Sequence, residues 1–537
     1  MPASVLTAAP PATGGGRVRL WSLSTRSRAV LAVGSGLVCA AAFAPLGWAL
    51  AAPVAVAGLT LSCRKVAPSA GAGFGLLFGA AFFLPLLHWS ATLVGAPPWL
   101  LLSASQAAFC AALGAGLALV SRHLLWPLEM ACLWVAEETL RDRIPFGGFP
   151  WGRLAFSQPG TPYARFAGLG GAPLVTFAVA LTGTLLAAAV VVVVAAVMAP
   201  AAGRSRRGWL VVGAVLLIPA LGMAIPTPTA GQSSGGPPAA TVAIVQGNVP
   251  RDGLTGDAED RAVLRLHVAE TERLARQVRA GQTPRPNLVL WPENSSDLDP
   301  FLDSQARVLI DQAVRAVGVP VLVGAVLDAG THVRNSGIVW NPVTGPGEVY
   351  DKRHPVPFAE YIPLRGLARA ISAKVDLVPR DFVAGRKPGV LHLGPARIGD
   401  LICFEVAEDG LVRDAVVHGG RVLVVQTNNA TFGHSPETEQ QLAMSRLRAV
   451  EHGRAVLIAA TSGVSAIIGP DGVVRQRSPL FAPAALVARV PLRDGRTLAD
   501  TLGAGPEWVL GGLGVLAAGL AGGRRLAQRR RRQESPQ

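Results

Sequence analysis

The chain has 537 residues, too many for one ordinary domain. Half of its residues are hydrophobic and only 15% are charged, whereas about a quarter are charged in a typical soluble protein. The net charge of +15 does not indicate a nucleic-acid partner, because the densest basic runs lie beside apolar segments and no aromatic–basic RNA motif is present. These properties exclude an ordinary soluble protein and predict a membrane protein.

Apolar segments occupy most of residues 28–225, after a Pro/Gly-rich tail at 1–27 that we expect to be cytoplasmic. At about 20 residues per helical span, they predict a transmembrane bundle of about seven spans. The segment 124–140 is the weakest candidate, because it contains three glutamates. Two spans are predicted within 29–63, turning near Pro45–Gly47, two within 66–121, breaking at Gly95–Pro98, and one each at 124–140, 166–203 and 209–225.

Beyond residue 225 the composition becomes polar and then briefly apolar again. Pro, Gly and Ser mark a linker, and a short Gly-rich stretch near the end is the candidate for a last span, about the eighth. The predicted segments are a linker at 226–240, a polar domain at 241–495, a last span at 504–523 and a basic cytoplasmic tail at 524–537.

The distribution of basic residues predicts the orientation, because Lys and Arg flank membrane spans mainly on the cytoplasmic side. If the spans alternate in direction, the basic residues at 64–65, 122–123 and 204–207 and those of the C-terminal tail all lie on one side. We therefore expect a multi-pass protein of the plasma (inner) membrane, with the polar domain on the extracytoplasmic side. The loop 141–153 is the exception, since it is basic yet expected outside. Either this loop is functional or the fifth span is wrong.

Short β-rich runs alternate with amphipathic helical segments in the polar domain. Such alternation is typical of a layered α/β domain. Predicted strands lie within 241–249, 287–293, 319–327, 335–342, 390–405, 419–429, 454–463 and 463–472, and predicted helices within 270–279, 303–317, 405–417 and 437–452.

Three polar side chains follow apolar runs in this domain: Glu293 after LVLWP, Lys352 after EVYD and Cys403 after IGDLI. Sites in layered α/β domains gather at the carboxyl ends of strands, so these side chains are expected to converge. Cys403 is the one cysteine in the polar domain, and none of the five cysteines has the spacing of a zinc site. A carboxylate, an ammonium and a thiol together predict nucleophilic catalysis by cysteine.

Three blocks, in order, are similar to the signature blocks of the nitrilase superfamily: WPE (291–293), YDKRHPVPFAEYIP (350–363) and GDLICFE (399–405). With the preceding spans and QGNVP (246–250), they resemble the apolipoprotein N-acyltransferase branch of that superfamily. The similarity extends from the first span to the last. It implies that the polar domain is an α-β-β-α sandwich with a Glu–Lys–Cys triad.

The resemblance implies an acyltransferase whose catalytic residues are Glu293, Lys352 and Cys403 and which needs no cofactor or metal ion. The implied acyl donor is a membrane phospholipid, whose acyl chain forms a thioester on Cys403. The implied acceptor is the amine of the diacylglyceryl-cysteine at the N-terminus of a lipoprotein. This is the last step of bacterial lipoprotein maturation.

Further residues match the family pattern or depart from it. Glu360 is expected to orient Lys352 or assist the base, and Glu405 to structure the turn after the nucleophile. Phe404 stands where the family usually has tyrosine, and we expect its ring to pack against the acyl chain. In TNNATFG (427–433), Asn replaces the usual acid and Thr the usual aromatic residue.

Two other functions remain open at this point. A membrane-tethered amidase or nitrilase would use the same triad, but water would resolve the thioester. A transporter or scaffold with an inactive enzyme domain would need polar residues or broken helices within the membrane. The many spans favour lipid substrates, because a simple tether needs only one.

Overall fold

The computed structural model describes residues 23–198, 206–227, 238–250 and 257–534. Most of the predicted tail 1–27, most of the predicted linker 226–240 and Arg204 lie outside these residues. The described N-terminal part is helical. Its helices are α1 (Thr25–Ala41), α2 (Ala51–Cys63), α3 (Pro68–Leu86), α4 (Ala91–Val94), α5 (Ala96–Val120), α6 (Trp126–Arg141), α7 (Ala167–Met198) and α8 (Arg206–Ala224), with 3-10 helices at His88–Ser90, Leu154–Ser157 and Pro162–Phe166.

Small residues allow α3 and α5 to approach closely. A Cβ added at Gly75 would lie 2.0 Å from the carbonyl oxygen of Cys110, and one at Gly71 would lie 2.4 Å from that of Gly114. Helices in membranes associate through such contacts, because lipid provides no hydrophobic force to drive them together. The predicted break before α5 is confirmed, since Gly95 has a φ of +81° that a residue with a side chain rarely adopts.

Three described helical segments are long and apolar enough to cross a membrane: Pro68–Leu86, Ala96–Val120 and Pro162–Met198. Two shorter apolar helices, Ala51–Cys63 and Val212–Ala224, accompany them. These segments indicate a membrane protein, as the composition predicts. The total of about eight spans stays a prediction.

The described C-terminal part contains two six-stranded sheets. One has the order β12-β1-β2-β3-β4-β5 and the other β11-β10-β9-β8-β7-β6. The strands are β1 (Ala239–Gln246), β2 (Leu288–Leu290), β3 (Val321–Ala329), β4 (His332–Asn341), β5 (Gly345–Asp351), β6 (Val390–Leu393), β7 (Ala396–Ile402), β8 (Val422–Thr427), β9 (Val456–Ala460), β10 (Ala466–Ile468), β11 (Val474–Arg477) and β12 (Ala484–Pro491).

Helices alternate with these strands and cover the sheets. They are α9 (Asp257–Arg279), α10 (Ser304–Val317), α11 (Arg365–Ile371), α12 (Asp409–Val417), α13 (Glu437–His452), α14 (Leu498–Leu502) and α15 (Gly505–Glu534), with 3-10 helices at Ala373–Leu377, Cys403–Ala407 and Ala430–Phe432.

Two apolar layers show how the sheets stack. Side chains such as Leu290 and Leu457 pack one sheet on the other, and a separate layer that includes Trp291 and Ile310 packs the first sheet on α9 and α10. The second sheet packs its outer face on α12, α13 and the helical bundle. The order helix, sheet, sheet, helix is the predicted α-β-β-α sandwich, and it is produced by strands buried on both faces.

Some elements differ from the prediction. Helix α15 continues through most of the basic segment predicted as a tail at 524–537. The predicted helix 405–417 is interrupted, because a 3-10 turn follows β7 and α12 begins only at Asp409. Strands β11 and β12 and helices α11 and α14 lie in segments for which the sequence pattern predicts no element.

Candidate active site

Cys403 directly follows β7 and begins the 3-10 turn that leaves the sheet. Its φ is +55°, a value that costs a residue with a side chain of order 1–3 kcal/mol and persists only where the surroundings enforce it. Its side chain is partly exposed, whereas the other four cysteines are buried. The strained backbone therefore presents the thiol at the end of a central strand.

Glu405 holds this turn in place. One carboxylate oxygen accepts hydrogen bonds from the backbone N–H of Ile402 at 2.8 Å, and the other from that of Arg353 at 2.7 Å. The hydroxyl of Tyr350 donates to the same carboxylate at 2.9 Å. Glu405 is fully buried, and burial raises the pKa of its carboxyl. The side chain thus links the nucleophile turn to the segment after β5 that carries Lys352.

Lys352 lies between two carboxylates. Its Nζ is 2.9 Å from Oε2 of Glu360 and 3.3 Å from Oε1 of Glu293. The amide of Asn335 donates to both carboxylates, to Glu293 at 2.7 Å and to Glu360 at 2.9 Å. The backbone N–H of Asn428 donates to the second oxygen of Glu293 at 2.8 Å. These contacts fix both oxygens of Glu293.

Charges at the site shift the ionisation of its members. Burial alone would lower the pKa of Lys352, but Glu360 and Glu293 raise it well above its ordinary value. Burial raises the pKa of the Cys403 thiol, Glu293 raises it further, and Lys352 offsets part of the increase. The resting thiol is therefore protonated, and a base is needed to generate the thiolate.

Phe404 does not face open space for a ligand. Its ring is 5% exposed and stacks on Phe149 and Trp151, with centroid distances of 5.8 and 6.0 Å. The imidazole of His354 packs on it edge-on at 5.8 Å. Aromatic residues of the bundle loop thus cover this ring, and its contact with an acyl chain stays a prediction.

Removing this ring tests the packing. Phe404→Ala is expected to lower the free energy of unfolding by about 3–5 kcal/mol, since a buried aromatic ring leaves a cavity. Urea titration in detergent measures the change. Phe301→Ala is the matched control, because Phe301 is 46% exposed. A loss below about 1 kcal/mol for Phe404→Ala would contradict the importance of the stack.

The basic loop 141–153 lies against the α/β domain. Arg153 is buried and its guanidinium is 2.8 Å from Oδ2 of Asp409, 3.2 Å from Asp142 and 3.7 Å from Glu138. Arg141 donates to carbonyl oxygens of the same loop. Both arginines therefore pair inside the protein, and the loop joins the bundle to the domain.

The turn after β8 departs from the family pattern in a compensated way. Asn429 is buried and its amide donates to the carboxylate of Glu437 at 2.8 Å. A carboxylate is therefore still present at this turn, but it belongs to Glu437, the first residue of α13. The aromatic contact comes from Phe432, whose ring is 5.0 Å from that of Trp89 in the bundle. Thr431 takes no part in that ring contact.

Sequence patterns miss several polar groups at this site. Asn335 begins the buried run of β4, directly after Arg334, and Gln441 and Glu437 lie on a helix whose polar sequence is typical of a protein surface. A polar side chain within a run predicted to be buried is the one feature that could have indicated such a group. Burying a polar group without a hydrogen-bond partner costs free energy, so a partner is expected nearby. Asn335 shows that feature in NSGIVWN (335–341), whereas Gln441 and Glu437 do not.

Comparisons with known proteins bear on both halves of the chain. Residues 35–185 match the family model "Apolipoprotein N-acyltransferase N-terminal domain", and residues 241–500 match "Carbon-nitrogen hydrolase".

Relatives and a solved structure add to these matches. The chain is 42% identical to the apolipoprotein N-acyltransferase of Mycolicibacterium smegmatis, over 94% of this chain and 87% of the relative. It is 32% identical to that of Azotobacter vinelandii, over 75% and 74%. An amidase of the nitrilase superfamily from Nesterenkonia AN1 has 20% identity and a TM-score of 0.36, covering 47% of this chain and 91% of that one.

Proposed function

This chain belongs to the apolipoprotein N-acyltransferase family, and we propose that it acylates lipoproteins through a thioester on Cys403. It is an acyltransferase of the final acylation step of lipoprotein maturation. We assign the acyl donor to membrane phospholipid and the acceptor to the amine of diacylglyceryl-cysteine. The observation that carries the assignment of residues is the contact of Lys352 with Glu293 and Glu360 beside the partly exposed Cys403.

In the first half-reaction Glu293 takes the proton of the Cys403 thiol, and the thiolate attacks the ester carbonyl of the phospholipid. The negative charge on the carbonyl oxygen is stabilised by Lys352 and by a backbone N–H beside Cys403. The carbon–oxygen bond breaks, and Glu293 returns its proton to the alkoxide that leaves. The products are a thioester and a lysophospholipid.

In the second half-reaction the lipoprotein amine attacks the thioester carbonyl. Glu293 accepts the proton that the nitrogen loses, and the carbon–sulfur bond breaks so that Cys403 leaves as a thiolate. The proton on Glu293 then passes to the sulfur, which restores the resting thiol. Asn335 and the N–H of Asn428 keep Glu293 oriented for both transfers.

The membrane arrangement is part of the proposal. About eight spans would place the catalytic domain on the extracytoplasmic side of the inner membrane, and the positions of the basic residues support this orientation. The aromatic stack of Phe149 and Trp151 on Phe404 supports a site at the bilayer surface, because those two residues belong to the loop that follows α6. A reporter enzyme that works only in the cytoplasm should be active when it is fused to the C-terminus. Its inactivity would contradict this orientation.

Intact-mass spectrometry after exposure to phospholipid vesicles tests the chemistry. We expect a mass increase of one fatty-acyl group in the unaltered protein, its loss in Cys403→Ala, and its retention in Cys132→Ala, where a buried cysteine of α6 changes instead. A diacylglyceryl peptide should release the adduct. No adduct with phospholipid together with hydrolysis of small amides would favour an amidase and overturn the proposal.

A further inference from the structure

A second set of polar groups contacts the nucleophile. The side-chain nitrogen of Gln441, on α13, donates a hydrogen bond to Sγ of Cys403 at 3.9 Å. Gln441 is 2% exposed, so its amide is fixed by protein groups rather than by water. Neither Glu293 nor Lys352 contacts this glutamine among the described hydrogen bonds. Neither proposed half-reaction gives this glutamine a role.

The direction of the Gln441 amide follows from its neighbours. An ionised carboxylate can only accept, so Glu437 receives a proton of the Asn429 amide at 2.8 Å. The other proton of that amide points to the oxygen of Gln441 at 3.3 Å. Because the oxygen of Gln441 accepts from Asn429, its nitrogen must face the sulfur. Glu437 and Asn429 are both buried, so water does not compete for these hydrogen bonds.

We propose that Gln441 is a catalytic residue whose N–H stabilises the sulfur of Cys403 as a leaving thiolate, and that Asn429 and Glu437 are positioning residues for its amide. This inference rests on the proposed thioester chemistry. When the amine attacks, the carbon–sulfur bond breaks and its electron pair remains on sulfur. The proton released by the amine goes to Glu293 and then to that sulfur.

The surroundings of Cys403 make such a donor useful. Burial and the charges of Glu293 and Glu437 raise the pKa of the Cys403 thiol and so disfavour a thiolate. Lys352 and the hydroxyl of Thr427 lower that pKa, but Lys352 is already engaged by two carboxylates. A neutral N–H lowers the energy of the thiolate without adding a charge that would compete for Glu293. Hydrogen bonds to charged groups contribute more than those between neutral groups.

The orientation of the Asn429 and Gln441 amides depends on pH, because it depends on whether Glu437 is ionised. Burial and, to a smaller extent, the charge of Glu293 raise the pKa of its carboxyl to about 7, against hydrogen bonds from Asn429 and Thr438 that lower it. Below that pH the protonated carboxyl can donate, and the Asn429 amide is no longer held in one direction. The donor to sulfur is therefore best fixed when Glu437 is ionised.

Two variants and a control test the inference. Gln441→Met keeps the length of the side chain and removes the donor, and Asn429→Asp removes the proton that orients Gln441. Glu439→Gln is the control, because Glu439 lies on the outer side of the same helix and pairs with Arg477. Each protein is alkylated with iodoacetamide across a pH range, and the preformed acyl-enzyme is mixed with a diacylglyceryl peptide.

We expect both variants to move the alkylation profile of Cys403 to higher pH and to slow release of the acyl group by about 10- to 100-fold. The control should match the unaltered protein. An unchanged profile and release rate for Gln441→Met would overturn the inference. So would a lower thermal stability without a shifted profile, because that result assigns Gln441 a structural role.

The alkylation measurement needs no acyl donor. If the unaltered protein forms no acyl-enzyme, the proposed function fails, while the profile of Gln441→Met still decides whether this amide stabilises the thiolate.

Discussion

Lys352→Met is expected to reduce formation of the acyl-enzyme by about 1,000-fold or more, because it removes the cation that faces the developing oxyanion. It also leaves the buried carboxylate of Glu293 and the partly buried one of Glu360 without their shared cation, with Asn335 still donating to both. Breaking a buried ion pair by removing one partner typically costs about 3–5 kcal/mol of folding free energy. This single substitution should therefore reduce both the activity and the free energy of unfolding.

The pH dependence of this stabilisation follows from the raised pKa of Lys352. Glu360 and Glu293 raise the pKa against the opposing effect of burial, so the contribution is complete below the ordinary pKa of a lysine and is lost only as the pH rises through the higher folded value. At neutral pH the unaltered protein has the full contribution. The contribution of Lys352 to the stability of the unaltered protein should consequently be constant from about pH 6 to 9.

Intact-mass kinetics with phospholipid vesicles and urea titration in detergent measure the two effects. Lys374→Met is a matched control, because Lys374 is exposed and belongs to the 3-10 helix after α11. It should retain both the adduct and the stability. Acyl-enzyme formation within about tenfold of the unaltered rate in Lys352→Met would remove Lys352 from the proposed oxyanion site.

The sequence is sufficient to predict the groups that act at strand ends. Glu293 and Cys403 follow apolar runs that are typical of buried strands. The structure brings them close enough for the charge of Glu293 to raise the pKa of the Cys403 thiol. The layered α/β domain is predictable for the same reason, because its strands are apolar on both faces, whereas the sandwich order of the layers was implied by the resemblance to the nitrilase superfamily. Local sequence patterns contain this information, since burial of a strand depends mainly on its own residues.

Contacts between distant segments are not available from such patterns. Asn335 bridges two carboxylates that lie 42 and 25 residues away, and Gln441 meets Cys403 across 38 residues. A polar residue on a helix reads as exposed unless the neighbouring surface is known. The burial of Phe404 under the loop 141–153 is missed for this reason, because the loop belongs to the bundle and Phe404 to the turn after β7.

An ion network of two buried arginines and the partly exposed Asp409 joins the two halves of the molecule beside the nucleophile. Asp409, at the start of α12, accepts from Arg153 of the bundle loop at 2.8 Å and lies 2.6 Å from Arg448 of α13. Arg448 is fully buried and also donates to the carbonyl oxygens of Val406 and Ala407, in the turn that begins with Cys403. One carboxylate therefore connects the bundle, a helix of the sandwich and the nucleophile turn.

Asp409→Asn is expected to lower the free energy of unfolding by about 3–5 kcal/mol, because two buried guanidinium groups lose their shared carboxylate. Burial alone would raise the pKa of Asp409, but Arg153 and Arg448 hold it below its ordinary value. Its stabilisation is thus present above about pH 4 and declines as the pH falls through the lower folded pKa. The difference between the two proteins should shrink on acidification.

Urea titrations in detergent at neutral and acidic pH measure this difference. Asp494→Asn is the control, since Asp494 is 73% exposed and pairs with Arg421 at the surface, where an ion pair contributes at most about 1 kcal/mol. Because the nucleophile turn depends on Arg448, Asp409→Asn should also slow alkylation of Cys403 at pH values where the protein remains folded. Equal stability of Asp409→Asn and Asp494→Asn at neutral pH would show that the network does not hold the bundle against the catalytic domain.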